Sequence, residues 1–349
     1  MKKINADKVI TDQNSTSLKK MVLIIALSFG TICGATCLFL SLINHDFNFS
    51  SPKTIIEVQL PQAIAVDENY IYWSTRGSDD LIDGKIMRAN KDGSNIETLA
   101  SGLYTAWDIA VDDTSVYWVS VNGVKKISKT GGSVVILDAI PYDNHYGMHG
   151  SISGDIEVDN ENVYWINYGP IKILDKKSGT VKEFNLGQIY WDIEIHHSYI
   201  FGLDEDGDKT FLWRMNKDGT GLTRKYLQNN GPIDSFTVDD KSVYWGVQNC
   251  FADNGGNVMT MPFDGDTPTI VSSNWDCNSG PVDLISDSDY LYWNTNYGTF
   301  NNNLMGMQKN GKHPHVLAHN VFIGDIAVDS TGVFITLTKD NKIVFIAKH

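Results

Sequence analysis

The chain is short of the residues and patterns that usually announce chemistry. It holds 4 cysteines and 9 prolines among 349 residues. Cys33 and Cys37 sit in an apolar run, which leaves Cys250 and Cys277 as the one pair expected to form a disulfide. No Lys/Arg block stands outside the N-terminus and the net charge is −14. Nucleic acid and an anionic membrane surface are therefore excluded as direct partners. No nucleophile elbow, phosphate-binding glycine loop or dense metal motif is present, which weakens the case for an enzyme. Amphipathic helical patterns are missing as well.

What is present begins with an uncharged stretch over residues 21–43, long enough to cross about 30 Å of hydrocarbon as a helix. Lys2, Lys3, Lys8, Lys19 and Lys20 precede it. The positive-inside bias then gives a cytosolic tail over 1–20, a transmembrane signal-anchor over 21–43 and a tether over 44–53, with the rest outside the membrane.

From there one phrase repeats seven times: an apolar strand ending in Asp, a turn, then an aromatic pair. Ile64-Ala-Val-Asp67 precedes Tyr72-Trp73, Ile109-Ala-Val-Asp112 precedes Tyr117-Trp118, and Ile156-Glu-Val-Asp159 precedes Tyr164-Trp165. Looser copies pair Ile193 with Phe201-Gly202, Phe236 with Tyr244-Trp245, Leu284 with Tyr292-Trp293, and Ile326 with Phe334-Ile335. The second aromatic position falls at 73, 118, 165, 202, 245, 293 and 335, spaced by 45, 47, 37, 43, 48 and 42. A period in the forties built of short strands predicts an all-β, seven-bladed β-propeller over 54–349. Tight-turn pairs such as Asp92-Gly93, Asp218-Gly219 and Asn310-Gly311 recur between the third and fourth strands, as two-residue hairpins require. The seventh unit has only three strands. A spare strand at 54–60 is predicted to pair with 342–348 and close the ring.

The Ile-Ala-Val-Asp…Tyr-Trp phrase resembles the YWTD repeats of lipoprotein-receptor propellers and their bacterial surface-protein variants. The resemblance covers about 54–349 and implies a binding module rather than a catalyst. Two features depart from it: that family has six blades, and Thr-Asp is replaced by Ser74-Thr75, Val119-Ser120 and Ile166-Asn167.

Candidate site residues gather on the face formed by the connections from strand four to the next strand one, and from strand two to three. Asp108, Asp155, Asp192, Asp283 and Asp325 recur just before strand one, with Ala63 and Ser235 in the other units. Such a ring at the channel mouth would hold Ca²⁺, or else accept backbone N–H groups of the neighbouring blade. Tyr104, Trp107, Tyr142, Tyr146, Tyr190, Trp191 and Trp275 supply rings for sugars or peptides. Asp143, His145 and His149 could ligate a transition metal, and Asp204, Asp206 and Asp208 open like a calcium loop. The expectation is a membrane-anchored extracytoplasmic scaffold that binds a glycan, peptide or envelope protein. The alternative is a metal-dependent hydrolase or lyase at the acidic mouth.

Overall fold

The computed structural model describes residues 49–77, 82–140, 154–167, 169–186, 189–207, 209–227, 231–233, 235–247, 256–275, 282–295 and 302–349, with the side chains of 189–191 and 274–275 outside that set. The apolar run 21–43 lies outside the described residues, as do Cys33, Cys37, Cys250 and Cys277 and with them the expected disulfide. Among the described residues no helix is long and apolar enough to cross a membrane.

Seven four-stranded antiparallel sheets form the fold, each one blade of a β-propeller. The innermost strands are Pro61–Val66, Ala106–Val111, Asp155–Val158, Ile189–His196, Phe236–Val238, Val282–Ser286 and Ile323–Asp329. The seventh blade takes its outer strand from the start of the domain. Lys53–Glu57 pairs antiparallel with Lys342–Ala347, placing Thr54 opposite Val344 and Glu57 opposite Lys342. Two otherwise bare sheet edges are thereby covered. The folded unit begins at Phe49 rather than at 54. Phe49 bridges to Lys348, Ser50 N donates to the Ala347 carbonyl at 2.8 Å, and the Phe49 ring meets Tyr290 edge-on at 5.2 Å. The later part of the expected tether thus belongs to the seventh blade.

The aromatic pair is explained by strand alternation, which sends neighbouring side chains to opposite faces of a blade. Tyr72 packs toward the second blade beside Trp118, while Trp73 packs toward the seventh beside Phe334. Tyr117 meets Trp165, Phe201 meets Trp245, and Tyr244 meets Trp293 in the same manner. One apolar cluster fills each seam, so the core is distributed around the ring. The fourth blade has Gly202 where Trp is usual, and Trp213 on the adjoining strand replaces it. The two are cross-strand partners, and a Cβ on Gly202 would lie 2.2 Å from the Trp213 ring.

The outer hairpins differ from expectation. Asn90 N donates to the Ser94 carbonyl and Gly93 N to the Asn90 carbonyl, both at 2.9 Å, so the loop has three residues and Gly93 takes φ of 87°. A type I turn followed by a left-handed residue explains the Asp-Gly signal. Gly265 stands outside the positive-φ set, unlike Gly93, Gly219 and Gly311.

Six of the seven seams are also latched on the face of the short turns. The Asp ending strand one of a blade binds its own turn and Tyr, then a Lys of the next blade. Asp67 Oδ1 accepts Asn69 N and Tyr70 N, and its Oδ2 accepts the Tyr72 hydroxyl at 2.8 Å and Lys129 Nζ at 2.5 Å. Lys176 reaches Asp112 at 2.5 Å, Lys217 reaches Asp159 at 2.7 Å, and Lys309 reaches Asp239 at 3.1 Å. Lys348 binds Asp287 at 2.9 Å, and Lys91 ties the first blade to Asp329 of the seventh at 2.7 Å. Burial alone would raise the Asp67 carboxyl, but Lys129, the two N–H groups and the Tyr72 hydroxyl outweigh it and hold it below its ordinary value.

Candidate functional site

The innermost strands of all seven blades enclose a cavity of about 650 Å³ along the ring axis. Asp108, Asp155, Asp192, Asp283 and Asp325 all line it, so the structure brings the expected aspartate ring together. Each lies within the first strand rather than before it.

Most of this ring also links blades. Asp108 Oδ2 accepts Ile156 N at 2.8 Å, Asp155 Oδ2 accepts Ile193 N at 2.6 Å, and Asp325 Oδ2 accepts Ile64 N at 2.8 Å. Asp192 Oδ2 makes a longer contact with Phe236 N at 3.4 Å, and Ser235 Oγ accepts Leu284 N at 2.8 Å. Two positions break the series. Ala63 has no acceptor to offer. Asp283, at φ of 49°, takes the Asn294 amide at 2.7 Å instead. At both following blades the local Asp serves its own backbone: Ile109 N donates to Asp108 Oδ1 and Ile326 N to Asp325 Oδ1, each at 2.7 Å. The repeated aspartates thus satisfy inner-strand N–H groups that no sheet partner covers.

A second acidic layer lies beneath two of them. Glu157 and Glu194 follow Asp155 and Asp192 by two residues, so strand alternation returns them to the same wall, where other blades carry Ala65, Ala110 and Ala327. Glu194 accepts Val238 N at 2.9 Å and the Thr237 hydroxyl at 3.2 Å. Desolvation pushes the Glu157 carboxyl up to about 8, helped by the charges of Asp108 and Asp192. Asp192 is pushed up to about 7, by desolvation first and by the charges of Asp283 and Asp108. Asp155, Glu194 and Asp325 are likewise held well above the ordinary carboxylate range by burial, with like charges adding to it. The neighbouring Asp108 carboxyl is among the groups that raise Asp155. Among the described residues neither Lys, Arg nor His belongs to this wall. Such a wall resists ionisation, and an entering cation would supply the counter-charge that favours it. Asp108, Asp155 and Asp192, with Glu157 and Glu194 below, have the donor chemistry for Ca²⁺, although four of the six oxygens of the first three already accept backbone N–H groups.

The other expected site residues scatter. Trp107 lines the cavity half-buried, and Tyr104 is half-buried in the connection before it. Tyr190, Trp191 and Trp275 lie on strands Ile189–His196 and Thr269–Trp275, their side chains outside the described set. Tyr142, Tyr146, Asp143, His145 and His149 lie outside the described residues. Asp204 is buried with the Arg224 guanidinium forked across both its oxygens, Nε at 2.9 and 2.8 Å, which removes it from a calcium loop. Glu157 and Glu194 were the residues that motif reasoning passed over. The i, i+2 relation to the aspartates was the signal that could have found them.

No family model matches the chain, and no curated protein matches it. Similar solved structures include the N-terminal domain of Nup159, at 10% identity and a TM-score of 0.55, covering 88% of this chain and 97% of that one. The mitotic checkpoint complex contains a chain at 10% identity and a TM-score of 0.58, covering 86% and 93%. The extracellular domain of a one-component system from B. thetaiotaomicron matches at 10% identity and a TM-score of 0.59, covering 87% of this chain and 40% of that one. At such identity the likeness is one of fold alone.

Proposed function

We propose that the chain is a membrane-anchored, extracytoplasmic binding scaffold, a seven-bladed variant of the YWTD-like surface repeats its motifs resemble. Its partner is a protein or peptide segment that presents a cationic group to the central channel. The observation that carries this reading is the wall itself, which among the described residues has five aspartates, two glutamates and no basic residue. A neutral glycan would leave these acids without a counter-charge, whereas a Lys or Arg side chain would supply one. Trp107 at the wall offers a ring face for the same cation.

Loop lengths support the choice of face. The connections beside the aspartate ring include 76–83, 140–154, 248–255 and 295–303, while the opposite face has uniformly short turns such as 67–69 and 112–114. Variable loops on a rigid scaffold are where binding residues collect. Hydrolase or lyase chemistry would ask for a His or basic group beside the acids, and none lines the wall among the described residues.

The test is a titration of the full chain, in mild detergent, with a fluorescent Lys/Arg-rich peptide and its Gln-substituted counterpart, with and without Ca²⁺. Saturable binding is expected for the basic peptide only, tightening from pH 6 to 8.5 as Glu157 and Asp192 release protons. The double variant Glu157→Gln/Glu194→Gln should weaken it about ten-fold, or about 1.4 kcal/mol. Equal affinity for both peptides overturns the proposal. So does binding that the double variant leaves intact.

A further inference from the structure

On the face of the short turns one seam breaks the latch pattern, and it does so at every member. Between the fourth and fifth blades His196 stands where Asp ends strand one, Phe201 replaces the Tyr, and Phe263 replaces the Lys of the next blade. Phe201 and Phe263 stack at 5.1 Å, so the apolar half of the junction is filled. The polar half is not simply lost. His196 and the adjacent His197 both point Nε2 at one oxygen of Asp240 on the fifth blade, at 3.0 and 2.9 Å.

The local backbone explains this convergence. In other blades the latch Asp accepts two turn N–H groups, as Asp159 Oδ1 accepts Glu161 N and Asn162 N. An imidazole at 196 cannot accept both. The turn here closes instead through His197 in the left-handed region, with φ of 50°. That conformation sets the two rings 4.2 Å apart between centroids. Asp240, one residue beyond the fifth blade's own latch aspartate, then completes a group drawn from two blades.

The geometry points to a cross-blade binding site for a divalent transition metal of the zinc class, held by His196, His197 and Asp240. The three ligand atoms lie within 4.8 Å of one another. Four ligands at about 2.0–2.1 Å from Zn²⁺ stand about 3.3 Å apart along a tetrahedral edge. Two of the three separations already fall near that value, and rotation of the exposed His197 and Asp240 side chains closes the third. Two imidazoles and one carboxylate favour Zn²⁺, Ni²⁺ or Cu²⁺ over Ca²⁺ or Mg²⁺. Solvent access at His197 and Asp240 leaves the fourth position to water. The bound ion would join the fourth and fifth blades where the other six seams use a lysine.

The site is independent of the acidic channel, so the two proposals fail separately. The test is a Zn²⁺ titration of the full chain at pH 7.5, read by competition with a chromophoric chelator and by thermal unfolding. One equivalent is expected to bind in the micromolar range and to raise the melting temperature by a few degrees. His197→Ala and Asp240→Asn, both exposed, should each weaken binding at least ten-fold. His319→Ala/His349→Ala, at two exposed histidines away from the cluster, should leave it unchanged. No saturable uptake up to millimolar Zn²⁺ overturns the assignment, as does uptake that survives both cluster variants or vanishes with the control pair.

Discussion

Replacing Glu157 by glutamine tests the electrostatics of the channel most directly, because the exchange keeps shape and removes only the titratable proton. The Glu157 carboxyl rises from an ordinary 4.5 to about 8, chiefly by desolvation, then by the charges of Asp108 and Asp192. At 1.36 kcal/mol per pH unit that rise corresponds to a ceiling of about 5 kcal/mol for ionising it in the fold. Its side chain keeps some surface open to the channel, where water screens it. A value of about 2–4 kcal/mol is the fair expectation. The sign follows from proton linkage. Between about pH 4.5 and 8 the folded state holds a proton that the unfolded chain releases, so stability falls as pH rises across that window. Urea unfolding at pH 5 and pH 9 reads the effect, with an unchanged m-value confirming that stability alone moved. Wild type and Glu157→Gln should agree within about 0.5 kcal/mol at pH 5, and the variant should be the more stable by about 2–4 kcal/mol at pH 9. A gap between the two that stays constant with pH refutes the buried-acid account.

Asp112→Asn acts with the opposite sign: Lys176, two turn N–H groups and Tyr117 overcome burial and hold that carboxyl below its ordinary value. The variant should lose about 1–3 kcal/mol at pH 7, shrinking as pH falls from 5 toward 2, in the same unfolding assay. Val344→Pro removes ladder bonds where Val344 pairs with both Thr54 and Ile335. It should destabilise by about 3 kcal/mol or more, with protease cleavage appearing first near 49–57. Gly202→Trp should be destabilising because Trp213 already fills its place, and Gly202→Trp/Trp213→Met should recover most of the loss. A double variant no better than the single would show that the two residues do not exchange roles.

The ring was legible in the sequence because its signal is local and repeated. Seven copies of one strand-turn-strand phrase fix the blade number, and the missing fourth strand of the last copy fixes how the ring closes. The latches were not legible, since Lys129 and Asp67 stand 62 residues apart and Lys309 and Asp239 stand 70 apart. Each lysine follows the third strand of the next blade, as in Lys91-Asp92-Gly93, Lys217-Asp218-Gly219 and Lys309-Asn310-Gly311, and that recurrence does not say which carboxylate it meets. The loss of Thr-Asp after Tyr-Trp left blade-to-blade bonding without an obvious agent. Ser74 supplies part of it, accepting Ala63 N and donating to the Ala106 carbonyl of the second blade, both at 3.1 Å. The Asp that ends strand one supplies most of the rest. The aspartate ring was visible as a repeat, but its dual use was not. Which N–H an Asp meets depends on the rotation between blades, and no single repeat encodes that.

A repeat also separates structural from functional residues by a physical criterion. Where the ring aspartate is missing at Ala63 or turned aside at Asp283, the next blade rescues the orphaned N–H with its own Asp, as Ile109 and Ile326 show. A feature that is rescued when it fails is required by the fold. Glu157 and Glu194 are different. They stand on adjacent blades only, where alanine suffices at the same position in three others, and Glu157 satisfies no neighbouring blade's backbone among the described hydrogen bonds. Two adjacent acids held above their ordinary range are a burden on stability. Glu194 returns part of that burden by bonding the fifth blade, whereas the proposed cationic partner would relieve it for Glu157. The acidic wedge under Asp155 and Asp192, rather than the symmetric ring above it, is where the channel's specificity should lie.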